Sequence, residues 1–110
     1  MSNKDDVVIV SAVRTPFSRF DTAVADTPSI DLGMVVMKEV INRVGVKPEE
    51  VDEIYYGSCV VAEFALETDV PARQASLLAG FPAENISVTL DRACCSSLTT
   101  LRLGTLSMKA

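Results

Sequence analysis

An α/β layered fold is predicted by three observations: apolar runs short enough to be strands, a helical stretch after each of them, and a scarcity of aromatic side chains. Aromatics make up 5% of the 110 residues and Trp is absent, while 48% of the residues are hydrophobic. The core must therefore come from Val, Leu, Ile and Ala, which suits close helix and sheet layers better than a β-sandwich. The length accommodates one domain.

Each element has a local reason. Val7-Val8-Ile9-Val10-Ser11-Ala12-Val13 is nearly all apolar, as a strand covered on both faces would be. Arg14-Thr15-Pro16 ends it, because proline cannot continue a central strand. Residues 17–27 read as a polar loop. A first helix is predicted from Thr27-Pro28, with Thr27 as cap, Pro28 in first position and Asp31 near the positive end of the dipole. Leu32, Val35, Val36, Val40 and Val44 recur at helical spacing, and Gly45 is its stop. The second strand is predicted over residues 54–61, with Cys59 as a core residue. Loop 62–70 carries Glu63, Glu67 and Asp69, which read as a solvated loop rather than a carboxylate site. A second helix starts at Pro71 and stops at Gly80. The third strand is Ile86–Leu90, and Asp91-Arg92-Ala93-Cys94 bends sharply into a third helix from about Cys95.

That third helix predicts more than itself. Leu98, Leu101, Leu103, Leu106 and Met108 spread around most of its circumference, and Arg102 is the one charge between Ala93 and Met108. A helix apolar all round is buried on all sides, and three strands leave sheet edges open. The order βαβαβα is thus expected to be incomplete alone, a piece of a larger protein, and to aggregate or stay molten if expressed by itself.

Charge and cysteine usage narrow the function. The net charge is −5 and the pI about 4.6. The basic residues, Arg14, Lys38, Arg73 and Arg102 among them, are scattered, which argues against nucleic acid and anionic membrane partners. The apolar run Val7–Val10 is too short for a signal segment or a membrane span. Cys94 and Cys95 are adjacent, with Cα atoms about 3.8 Å apart, below the usual disulfide range. A reduced, cytoplasmic protein is expected. There is no metal-ligand spacing and no Gly-rich phosphate loop. Arg14 at a strand end and Arg73 in a first helical turn read as structural.

The chemistry is concentrated where the third strand bends into the third helix. A thiol reacts as thiolate, and free amides at a helix N-terminus favour that charge. The same amides can hold the oxyanion formed when a thiolate attacks a thioester. Ser96 and Ser97 are small and keep the approach open. On spacing alone, either Cys94 or Cys95 qualifies as a nucleophile, or both are buried core thiols.

A resemblance decides between them. Val7 through Phe17 resembles the opening of the thiolases. Pro71-Ala72-Arg73-Gln74-Ala75, ending in Ala79-Gly80, is similar to the family's second helix. Asp91-Arg92-Ala93-Cys94-Cys95-Ser96-Ser97-Leu98 resembles the segment carrying its nucleophile. The resemblance implies a thiolase-like layered fold, with residues 1–110 as the first half of the N-terminal domain. It implies an acyltransferase that forms an acyl-enzyme on Cys94 and passes the acyl group to CoA or to acetyl-CoA. No cofactor would be bound permanently, and CoA thioesters would be the substrates. A homodimer or tetramer joined through strand Ile86–Leu90 is implied as well. Cys95 and Ser97 stand where the family has small residues or glycine, and Asp91 where asparagine is common. The family's two histidines and second cysteine come from its C-terminal half, and this chain has no histidine. Related condensing enzymes of the ketoacyl synthase or hydroxymethylglutaryl-CoA synthase type are the rival reading, as is a non-catalytic thiolase-like subunit.

Overall fold

A computed structural model describes residue 3, residues 5–60 and residues 70–110. The elements follow as α1 (Ser29–Asn42), a 3-10 turn (Pro48–Glu50), β1 (Glu53–Gly57), α2 (Pro71–Leu78), β2 (Ile86–Leu90) and α3 (Ser96–Lys109). β1 and β2 pair in parallel, with Glu53 opposite Ile86 and Gly57 opposite Leu90. A parallel pair requires a crossover, and α2 lies within it.

Alternation along β1 sorts the helices into layers. Ile54 points to the core it shares with Ala79 and Phe81, against which Met34, Met37 and Ile41 pack. Tyr56, two residues on, sends its hydroxyl toward the Ser29 carbonyl at 3.4 Å. Its ring lies so close to Gly33 that a Cβ there would meet the hydroxyl at 2.7 Å. Tyr55 and Gly57 face the other way and receive α3, Tyr55 against Gly104 and Gly57 against Ser96 and Ser97. The order is α1 and α2, then the sheet, then α3. In α2 the buried residues are small: Ala72, Ala75 and Ser76 are almost completely covered. Small side chains let its backbone approach closely, and the Ala72 N–H donates to Thr89 Oγ1 of β2 at 3.1 Å.

Four expectations are corrected. Residues 7–13 form no strand. They lie across an open cleft of about 770 Å³ from Tyr55, Thr100 and Leu101, with Val8, Ile9 and Val10 exposed. A strand exists only as a partner in a ladder, and among the described residues the run joins none. The second strand stops at Gly57, so Cys59 is exposed rather than part of the core; Val61 and residues 62–69 lie outside the described residues. In α1 the N-cap is Pro28, without a side-chain cap bond, and Thr27 does not cap. The covered stripe of α1 is Ile30, Gly33, Met34, Met37 and Ile41, while Val35 and Val44 are exposed. The expectation that α3 lacks cover in this chain is met: Leu98, Leu101, Leu106 and Met108 are exposed. Among the described residues, no helix is long and apolar enough to cross a membrane.

The far end of α3 is tied down by a carboxylate. Glu53 Oε2 accepts hydrogen bonds from Tyr55 Oη and from Ser107 Oγ, both at 2.7 Å. These bonds, Tyr55's first, hold the Glu53 carboxyl below its ordinary value. A depressed carboxylate favours the folded state above its unfolded pKa, and the contribution is lost as pH falls through the folded value. Acidification into that range should therefore lower the hydrogen-exchange protection factors of the last turn of α3 relative to the core strands. Glu53→Gln should remove that pH dependence.

Candidate active site at the bend into the third helix

The bend between β2 and α3 is built by a chain of short hydrogen bonds. Leu90, the last residue of β2, gives its carbonyl to the Ser58 N–H at 3.0 Å and so fixes the end of the ladder. Asp91 Oδ1 then accepts the Ala93 N–H at 2.9 Å, an aspartate turn. Ala93 takes a positive φ of 49°, the left-handed region that L-residues enter at a cost. The Cys95 N–H returns to the Arg92 carbonyl at 3.1 Å, and the Ser96 N–H to the Ala93 carbonyl at 3.2 Å. Cys94 therefore stands on a closed turn, at its exposed side.

Two residues hold this turn: Gly57, which the sequence does not mark, and Ser96, which is buried within the turn rather than keeping the approach to the sulfur open. Ser96 is 4% exposed. Its Oγ accepts the Arg92 N–H at 2.8 Å and donates to the Ala93 carbonyl at 2.7 Å. Gly57, at the end of β1, lies directly beneath the start of α3: a Cβ there would fall 2.7 Å from the Ser96 carbonyl carbon and 2.7 Å from the Ser97 nitrogen. A glycine ending a strand and a serine opening a helix have no periodicity, so no pattern marks them in advance.

Helix α3 starts with Cys95 as N-cap and no side-chain cap bond, so no capping side chain occupies the amides of its first turn. Those amides, with the positive end of the dipole, are what an anionic sulfur or oxyanion needs. Cys95 lines an open groove of about 510 Å³ along α3 with Arg92, Leu98, Thr99 and Arg102, and both thiols are exposed.

The remaining sequence-predicted residues fall outside this site. Arg73 forks onto backbone carbonyls of the segment leading to β2, Asn85 at 3.1 Å and also Ala83. Arg14 donates to the Thr15 carbonyl and lies 5.1 Å from the Phe17 ring centroid. Glu63, Glu67 and Asp69 lie outside the described residues. Among the described residues, no group of three or more His, Cys, Asp or Glu side chains could hold a metal ion.

Comparison with known proteins converges on one family. The family profile described as "Thiolase, N-terminal domain" matches residues 7–110. The cytosolic acetyl-CoA acetyltransferase ERG10 of Gibberella zeae is 38% identical over 104 residues, 94% of this chain and 26% of that protein. The mitochondrial acetyl-CoA acetyltransferase of Rattus norvegicus is 35% identical over 104 residues, 94% of this chain and 24% of that protein. The crystal structure of Acat5 thiolase from Ascaris suum in complex with coenzyme A superposes with a TM-score of 0.83 at 30% identity, covering 90% of this chain and 25% of that one. The chain thus spans about a quarter of the length of these relatives. Sequence, layer order and the strand–bend–helix geometry agree, and the chain belongs to the thiolase family, within its N-terminal domain.

Proposed function

We propose that this chain is the first half of the N-terminal domain of an acyltransferase of the thiolase type, with Cys94 as the acylated nucleophile. The observation that carries the reading is the exposed Cys94 thiol on the closed turn ahead of α3, in a chain of this family. The Cys94 thiolate attacks the carbonyl carbon of an acyl-CoA. The carbonyl oxygen becomes an oxyanion facing helix-terminal amides, and collapse expels the CoA thiolate, which takes up a proton. The acyl group then passes to CoA or to the carbanion of acetyl-CoA. This chain has no histidine, so the proton transfers that activate the thiol and the incoming group belong to the C-terminal half that the family resemblance implies. CoA thioesters as substrates are supported by the acetyl-CoA acetyltransferase relatives and by the coenzyme A complex of the Ascaris suum enzyme. A cytoplasmic setting fits three free thiols, and the relatives include both cytosolic and mitochondrial enzymes.

The test is pre-steady-state. Mixed with excess acetyl-CoA, which serves as both donor and acceptor, the full-length protein should release CoA in a burst of about one equivalent per subunit ahead of the slower condensation turnover, the signature of an acyl-enzyme. A non-catalytic subunit would give no burst.

Assembly through β2 belongs to the same reading. Leu90 turns its carbonyl toward β1, so by alternation Ser87 and Thr89 turn their backbone groups to the outer edge, which takes no strand among the described residues. An open edge invites pairing with a second copy. Thr89 also holds the Ala72 N–H through its side chain, which makes Ser87→Pro the cleaner substitution. Ser87→Pro should convert the dimer to folded monomers in sedimentation velocity; an unchanged dimer would place the interface elsewhere.

A further inference from the structure

We infer that Ser96 is a positioning residue for Cys94, holding the nucleophile turn in a conformation its own sequence resists. The inference rests on the acyl-enzyme reading above. Ala93 sits at φ 49°, and an alanine has no preference for that region. Beside the two backbone bonds that close the turn, the buried Ser96 hydroxyl holds it there, accepting from the Arg92 N–H before Ala93 and donating to the Ala93 carbonyl after it. Both sides of the strained residue are thereby fixed to one oxygen. Asp91 takes the Ala93 N–H, but it is exposed and reaches only the peptide on the near side. Because Ser96 is itself the first residue of α3, the same hydroxyl joins the turn to the helix whose amides the reaction uses. Removing it frees the Arg92 N–H, on the Asp91–Arg92 peptide, and one of the two bonds to the Ala93 carbonyl, so that the turn relaxes toward ordinary φ values and Cys94 moves off the helix terminus.

The physical signature is coupling to residue 93. Glycine occupies positive φ without strain, so the turn of an Ala93→Gly variant has less need of the serine. In the full-length protein, kcat and KM are measured for Ser96→Ala, Ala93→Gly and the double variant, with melting curves for each. Ser96→Ala should lower kcat by about tenfold or more, with little change in KM for the acyl-CoA. Adding Ser96→Ala to the Ala93→Gly protein should cost clearly less than it does in the parent. If Ser96→Ala fails to fold but the double variant folds, that rescue is the same coupling. Equal losses in both backgrounds, a change in KM alone, or a double variant that also fails to fold would overturn the positioning role. The acyl-enzyme reading fails separately, through Cys94→Ser retaining the CoA burst.

Discussion

Gly57→Ala should be among the most damaging single substitutions in this chain. The added methyl would meet the Ser96 carbonyl carbon and the Ser97 nitrogen, both at 2.7 Å. These are backbone atoms at the start of a helix, so no rotamer change relieves the contact. Either β1 or the start of α3 must shift, and overpacking of this kind costs roughly 1–3 kcal/mol. The shift also moves the turn that carries Cys94, so activity should fall further than stability does. Gly45→Ala is the control: it has open space around it but a φ of 69°, so it should lower the melting temperature through strain while leaving turnover per folded molecule unchanged. Equal ratios of activity to stability loss in the two variants would show that Gly57 serves the fold alone.

Cys94→Ser should produce the largest functional loss. A hydroxyl at the same place is far less nucleophilic at neutral pH, and removal of a nucleophile costs on the order of 10⁴-fold or more in turnover. Stability should hardly change, because Cys94 is exposed. Cys95→Ser should retain most activity: Cys95 lines the groove along α3 with Leu98 and Arg102, and serine keeps the backbone bond by which residue 95 closes the turn. If the two serine variants exchanged these phenotypes, the register of the nucleophile would be wrong by one residue.

Much of this was legible in the sequence, and for a physical reason. α2, β2 and the bend into α3 are marked by punctuating residues whose conformations are fixed locally: Pro71 opens α2, and Gly80 at φ 90° follows it. The thiolase resemblance rests on those blocks together with the opening Val7–Phe17. Pairing is not a local property, so the apolar run at residues 7–13 reads as a strand yet finds no ladder among the described residues. The same limit extends the second strand to Val61 in the sequence, although the ladder ends where Leu90 meets Ser58. In α1 two apolar stripes compete, and periodicity favours Leu32, Val35, Val36 and Val40 over the covered Ile30, Met34, Met37 and Ile41. The choice is made by Gly33, whose missing side chain admits the Tyr56 ring. Ser96 and Gly57 act through one hydroxyl and one absent methyl, and neither leaves a trace in hydrophobic patterning.

The central claim is the identity of the acylated atom, and peptide mapping reads it directly. Trypsin cleaves after Arg92 and Arg102, releasing residues 93–102 with both adjacent cysteines on one peptide. After reaction of the full-length protein with acetyl-CoA and quenching in acid, fragment ions of that peptide should carry a single acetyl group on Cys94, with Cys95 free. An acetyl group on Cys95, or a fully active protein whose 93–102 peptide is never acylated during turnover, would contradict the account.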